Sequence, residues 1–249
     1  MSRLVRWLKA TPLHPQWLIR NERRNFARAV AVASGTVLDV GCGDRWVERR
    51  LAPGCNYVGL DSLATGRDCY GARPAVFADA ARLPVRSDTL DAVLMLEVIE
   101  HLAEPFAALE EAWRCLRPGG RLVVSAPFLY PVHDAPHDFQ RFTEHGLSLA
   151  MRRVGFEVAS LERRLSALET AGLSACLAMG ASAKLALERP GPGLLLVPFW
   201  AILVPLVNLG AAVLARLVPD WGAMTNGYVG IGVKPVAGDQ AAEDVQRGG

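Results

Sequence analysis

The chain is short of cysteine, of histidine and of any excess charge, and each shortage removes a class of reading. Its five cysteines, at 42, 55, 69, 115 and 176, include no CxxC pair. An odd, scattered set argues against a disulfide framework and a structural zinc, and fits reduced thiols in a cytosolic compartment. Twenty-seven basic against 25 acidic residues leave a formal net charge of +2, so no global field draws in nucleic acid. The N-terminus lacks the apolar core of a secretory signal. No fixed-period self-similarity runs along the 249 residues, which excludes a repeat array. Apolar side chain, by contrast, is plentiful: 51% of residues are hydrophobic and 21% charged, with a mean hydropathy of +0.19. That is enough to offset chain entropy, so wholesale disorder is excluded. The length allows one large domain or two small ones.

Two local biases break the averages. Residues 1–30 carry Arg3, Arg6, Lys9, Arg20, Arg23, Arg24 and Arg28 against the single acid Glu22. Residues 194–218 are almost wholly apolar, with Asn208 and Arg216 as the polar exceptions. A run of that length is near what a bilayer span needs.

Between these regions strands alternate with helices. Arg20–Ala33 reads as a helix closed by Ser34-Gly35. Strands are expected at 36–43, 55–61, 74–79, 91–97, 121–127, 156–162 and 227–235. Residues 44–51 have helical character. In a helix over Glu104–Leu116, residues Phe106, Leu109, Ala112, Trp113 and Leu116 share one face. Pro118-Gly119-Gly120 is a turn, and Thr143 can cap a helix to Val154. The pattern predicts an α/β, doubly wound sheet with helices on both faces, whose ligands bind at the C-terminal ends of the strands. The expected organisation is a basic arm and leading helix (1–35), a core (36–162), a hydrophobic helical insertion (163–226), a closing strand (227–235) and a disordered tail (236–249).

Residues at strand ends are therefore weighed first. Asp39-Val40-Gly41-Cys42-Gly43 places two glycines at a strand–helix turn, where backbone can approach a ligand closely. Asp61 ends the second strand, where an acid can accept hydrogen bonds from ribose hydroxyls. A dinucleotide fingerprint needs G-x-G-x-x-G, and Trp46 stands where its third glycine would be.

Taken together, VLDVGCG, YVGLD, FADAARLPVRSDTLDAVLMLEVIEHL and ALEEAWRCLRPGGRLVVSAP resemble the class I S-adenosylmethionine-dependent methyltransferases of the type-11 group. The resemblance runs from about residue 36 to 162, and GYVGIGVKP is similar to that fold's closing strand. It implies a Rossmann-like seven-stranded sheet with one antiparallel strand at its edge, and S-adenosylmethionine as cofactor. It also implies that Asp39, Gly41, Cys42 and Gly43 line the methionine part and that Asp61 and Ser62 lie at the ribose. Asp79 and Ala80 would meet the adenine, with the Asp79 carboxylate accepting its exocyclic amine, and Glu97 would sit beside the methionine moiety. Arg45-Trp46 departs from members that carry a further glycine there.

Four of the five histidines follow strands four and five: His101, His133, His137 and His145. In the loop after strand five, His133-Asp134 and His137-Asp138 are candidates for a general base oriented by an acid. The alternative is that Asp138 pairs with Arg141 and the histidines brace the loop. Glu97, Glu100 and His101 stand at i, i+3 and i+4 and can share one side of a helix start. Two carboxylates and an imidazole can bind a divalent cation, with His133 or His137 as a fourth ligand. The string resembles the ExxEH signature of RNA 3′-terminal 2′-O-methyltransferases and of some quinone-precursor O-methyltransferases, yet many relatives carry similar strings without a metal. No metal is assigned on this basis.

The insertion is expected to form a helix over Leu165–Leu187, a turn at Arg189–Gly193 and the apolar run interrupted by Pro198 and Pro205. The closing strand must return to the same sheet, so a single bilayer crossing is excluded. Glu169 and Lys184 would each cost roughly 2.5–3.5 kcal/mol at a bilayer centre, which favours shallow insertion over two full spans. Leu4, Trp7 and Leu8 beside Arg3, Arg6 and Lys9 can add attraction to anionic lipid. The expected function is O-methylation of a small hydrophobic, glycan or lipid-linked acceptor by a cytoplasmic protein held peripherally at the inner face of a membrane through 194–218. The alternatives are a metal-assisted RNA 2′-O-methyltransferase, disfavoured by the absence of a broad basic face, and a non-catalytic membrane-associated adaptor. A hydrophobic lid or dimer face is the other reading of the insertion.

Overall fold

The computed structural model describes residues 7–68, 71–189 and 191–236. Arg3, Leu4, Arg6, Cys69 and the tail from 237 onward lie outside the described residues. The chain divides into two compact units. One holds 26–128, 132–162 and the residues from 227 onward; the other holds 129–131, 163–226 and the segment before 26. The leading segment, read from sequence as one piece, is thus shared between the two.

The first unit is a seven-stranded sheet: β1 (Thr36–Val40), β2 (Asn56–Asp61), β3 (Val76–Phe77), β4 (Leu90–Leu96), β5 (Leu116–Pro127), β6 (Glu157–Arg163) and β7 (Gly227–Val233). Their order is β3-β2-β1-β4-β5-β7-β6. β1 runs parallel to β2 and β4, β2 to β3 and β4 to β5, while β7 is antiparallel to β5. The antiparallel strand was expected at the edge. It lies one place in, with β6 outside it, because β7 returns into the slot between β5 and β6.

Both faces of the central strands are covered, which is why β1 and β4 are apolar nearly throughout rather than alternating. On one face Leu38, Val93, Met95 and Val124 pack with α2 (Pro105–Cys115) and α3 (Glu144–Val154). On the other, Val37, Ala92, Leu94 and Val123 pack with Ala29, Val30 and Ala33 at the end of α1 (Glu22–Val30) and just beyond it. Thr143 caps α3, its hydroxyl accepting the Gly146 N–H at 3.0 Å. In α2 the buried face is Pro105, Ala108, Leu109, Ala112 and Cys115, with Pro105 opening the first turn. Phe106, grouped with that face by its spacing, is 43% exposed.

Three local expectations are corrected. Residues 44–51 form no α-helix; Gly41, Gly43 and Arg45 all take left-handed φ, and only Glu48–Arg50 closes a 3-10 turn. Pro118-Gly119-Gly120 is not a turn before the strand but part of β5. Gly119 N–H donates to the Lys234 carbonyl at 2.7 Å, and Lys234 N–H donates to the Gly120 carbonyl at 2.9 Å. The third strand shrinks to the two residues of β3, both exposed at the sheet edge.

The second unit is a helical hairpin of α4 (Ala167–Glu188) and α5 (Val197–Leu217), joined through a 3-10 turn at Pro192–Leu196. Ser166 and Glu169 form a reciprocal capping box at the start of α4. A Cβ on Gly172 would lie 2.7 Å from that of Ala211, so glycine is what permits the close approach of α4 and α5. Trp17, Leu18, Leu173 and Ala211 form this unit's core. Asn208, the polar exception in the apolar run, is fully buried: its Nδ2 donates to the carbonyls of Pro12 at 2.7 Å and His14 at 3.1 Å.

Candidate active site

The glycine turn after β1 and the acid ending β2 meet directly. Gly41 and Cys42 donate their N–H groups to the Leu60 carbonyl at 2.9 and 3.1 Å. Gly43 N–H donates to Asp61 Oδ2 at 2.9 Å, and Ser62 N–H donates to Asp61 Oδ1 at 2.8 Å. Asp61 therefore braces the turn as well as ending its own strand, and each of its oxygens retains a further lone pair for a hydroxyl. A Cβ on Gly43 would meet no atom within 4 Å, so the turn carries open space above it.

The other members of this side vary in how they present themselves. Asp39 is buried and accepts the Tyr57 hydroxyl at 2.7 Å; burial pushes its carboxyl up to about 7, the Tyr57 bond opposing. Cys42 is also buried, its sulfur facing the Gly59 backbone, and burial pushes its thiol up to about 12. Only its backbone faces the turn. The Ser62 hydroxyl is occupied in capping the next turn, accepting the Thr65 N–H at 2.9 Å. Asp79 accepts the Ala81 N–H at 2.9 Å, and Ala80 is buried.

Glu97 follows β4 in the left-handed region, with φ +57°. Its N–H donates to Ser125 Oγ at 2.9 Å, and Ser125 Oγ–H donates back to Glu97 Oε1 at 2.8 Å. This reciprocal clamp fixes Glu97, and its charge still reaches Glu100. Burial raises the Glu97 carboxyl. Ser125 was missed in the sequence, although a lone hydroxyl inside LVVSAP is the kind of signal that could have found it.

Glu100 and His101 lie in a 3-10 turn, Ile99–His101, not a helix. The loop after β5 folds over that turn. Phe139 N–H donates to the Glu100 carbonyl at 2.9 Å, and Gln140 Nε2 donates to the Ile99 and Leu102 carbonyls, each at 2.8 Å. His101 Nδ1 lies 2.7 Å from the His137 carbonyl, and its ring packs edge-on to that of His133 at 4.9 Å between centroids. Asp138 stands beside His133, with His133 Nδ1 3.2 Å from Asp138 Oδ2, and Asp134 Oδ2 lies 4.0 Å from His101 Nε2. Arg141 donates to both Asp138 oxygens and holds that carboxyl down to about 2. Both readings of the loop thus coexist: Asp138 pairs with Arg141 and also orients His133. His137 enters through its backbone.

Residues 38–124 match the family model described as a methyltransferase domain. A Mycolicibacterium smegmatis protein named "Probable S-adenosylmethionine-dependent methyltransferase" is 30% identical over 169 residues, covering 64% of this chain and 65% of that protein. A demethylmenaquinone methyltransferase of Mycobacterium sp. (strain KMS) is 33% identical over 137 residues, covering 49% and 57%. The fold is that of a solved S-adenosylmethionine-dependent methyltransferase from Archaeoglobus fulgidus, with a TM-score of 0.52 at 16% identity over 94% of this chain and 100% of that one.

Residues 38–124 carry a methyltransferase domain.

Its cofactor is S-adenosylmethionine, and the turn that this methyltransferase domain presents fits such a group. Gly43, in left-handed backbone, leaves open space above the turn, and the adjacent carboxylates suit a ligand with hydroxyls and an amine. The chain spans less than two thirds of the length of these two curated relatives.

Proposed function

We propose that this chain is an S-adenosylmethionine-dependent methyltransferase that methylates an oxygen of a small hydrophobic, glycan or lipid-linked acceptor, working at the inner face of a membrane. When bound, the cofactor supplies an activated methyl group. Gly41, Gly43 and Asp61 would hold it, Asp39 would stand behind the turn, and Asp79 with Ala80 would meet its base. Glu97, fixed by Ser125, would stand at its methionine end. His133, oriented by Asp138, is the acceptor-side group that would hold the proton of an alcohol, with His101 and Asp134 beside it. The chain's own contribution is chiefly positioning and the exclusion of water.

The acceptor class rests on one observation in the helical unit. Leu195, Phe199, Ile202, Leu206, Leu209, Val213 and Leu217 are all exposed, Leu195 by 84%. From Phe199 to Leu217 their spacing of three or four places them in one stripe along α5, continued by Leu195 in the turn before it and opposite the buried Val204, Asn208 and Ala211. Both α4 and α5 are long and apolar enough to cross a membrane. A one-sided stripe with a packed opposite face supports lying in the interface rather than spanning it. A relative named for demethylmenaquinone supports a small-molecule acceptor.

The test has two arms. Calorimetric titration with S-adenosylmethionine should show binding that Asp61→Ala weakens; no binding in buffer or detergent would refute the enzyme reading. Co-sedimentation with anionic liposomes should be lost in a Phe199→Glu/Ile202→Glu variant, and labelled cofactor should mark a lipid extract but not RNA. Failure of the intact protein to bind liposomes would remove the membrane assignment.

A further inference from the structure

The turn after β4 contains a group that cofactor binding does not use. Glu100 is wholly buried, and among the described residues no other residue donates a hydrogen bond to either of its carboxylate oxygens. Burying a carboxylate without a partner costs several kcal/mol, so such groups are normally paired, protonated or bound to a cation. Arg141, whose charge reaches Glu100, directs its terminal nitrogens to Asp138.

One ligand atom each from Glu100, His101 and His133 lies within 4.8 Å of the other two. His101 Nε2 and Glu100 Oε1 are 3.8 Å apart, too far for a hydrogen bond. Two donors on one tetrahedral ion at about 2.0–2.2 Å stand roughly 3.3–3.6 Å apart, so a few tenths of an ångström would bring this pair onto a shared ion. The imidazoles are also oriented for ligation. The His137 carbonyl accepts from His101 Nδ1, which leaves the lone pair on Nε2, the nitrogen nearer Glu100. Asp138 stands behind His133 Nδ1 at 3.2 Å. A carbonyl or carboxylate behind each ring is the arrangement that fixes a metal-binding imidazole.

We infer that Glu100, His101 and His133 form a site for one first-row divalent transition-metal ion, with Asp134 at its rim. Two imidazoles with one carboxylate favour Zn²⁺, Fe²⁺ or Co²⁺ over Mg²⁺, which prefers oxygen donors. Three protein ligands leave a fourth position open for water or an acceptor oxygen. The ion uses the His133 lone pair, so the proton-holding role passes to water at that open position. The site's existence stands apart from the proposed function; only its use on an acceptor rests on that reading.

The test is titration of the full chain, first dialysed against chelator, with Co²⁺. One equivalent should bind and give visible d–d absorption that Zn²⁺ abolishes and Mg²⁺ leaves unchanged. Glu100→Gln and His133→Ala should each weaken Co²⁺ binding tenfold or more, and the exposed His145→Ala should not. S-adenosylmethionine titrations on the same samples report folding and separate the two proposals. Protein that binds the cofactor yet takes up no Co²⁺ overturns the inference, as does equal uptake by the two ligand variants. Co²⁺ uptake by the native chain that both ligand variants lose, while their circular dichroism stays native, upholds it even where no cofactor binds.

Discussion

Gly41 and Gly43 both occupy left-handed backbone, yet alanine at each should do different damage. The backbone cost is common to both, about 1–2 kcal/mol for an L-residue in that region. At Gly41 the new Cβ would meet Val98 Cγ2 at 2.4 Å, and Val98 is itself buried. Overpacking of that kind adds roughly 1–3 kcal/mol. At Gly43 the Cβ would meet nothing within 4 Å. Gly43→Ala should therefore lose only the backbone term, and Gly41→Ala clearly more. Cofactor affinity should respond differently, because the space a Gly43 Cβ enters is the space the ligand needs. Tenfold weaker binding, about 1.4 kcal/mol, is expected in a Gly43→Ala protein that remains folded. Urea unfolding and calorimetric titration with S-adenosylmethionine measure the two quantities independently. Unchanged affinity in Gly43→Ala would refute placing the cofactor over that glycine. Equal destabilisation by the two substitutions would refute the crowding at Val98.

Two further outcomes follow from buried polar groups. Asp39 is raised in the folded state from 3.8 to about 7, mainly by burial. Between those values the folded chain keeps a proton that the unfolded chain has lost, so its contribution to stability is full below pH 4 and fades as pH rises to about 7. The slope is at most about 1.4 kcal/mol per pH unit. Stability of the native protein relative to Asp39→Asn should fall from pH 5 to pH 7 in urea unfolding; parallel profiles would contradict it. Asn208→Ala should cost about 1–3 kcal/mol by removing the donor to the Pro12 and His14 carbonyls. Limited proteolysis should then cut within 7–19 faster, and an unchanged rate would deny Asn208 that anchoring role.

Continuous apolar runs made β1, β2 and β4 legible, because strands covered on both faces need no polar alternation. Thr143 was legible as a cap because its bond to Gly146 is local. What failed depended on distant partners or on sparsely used backbone. Nothing near Pro118 reveals that Lys234 will pair with Gly119 and Gly120 and draw them into β5. The reading of 44–51 as a helix failed because Arg45 takes left-handed φ, which its residue type does not announce. Glu97 was grouped with Glu100 and His101 by helical spacing, but residues 99–101 form a 3-10 turn and Glu97 takes left-handed φ, clamped by Ser125. His133 reached Glu100 and His101 only because Phe139 and Gln140 fasten the loop across the 99–101 turn. Among the strand-end acids, Asp61 was legible by position alone, whereas its bond to Gly43 required the register of β1 against β2.

The place of β7 between β5 and β6 has a consequence for how the chain is made. Both neighbours leave the ribosome before the strand that joins them. At about 5–20 residues per second, β5 waits several seconds or more for its partner, with one hydrogen-bonding edge unpaired. During that interval the apolar hairpin of α4 and α5 also emerges. Nascent chains of this protein thus expose a strand edge and an oily helix pair together, and either a chaperone or a lipid surface has time to reach them before the sheet closes.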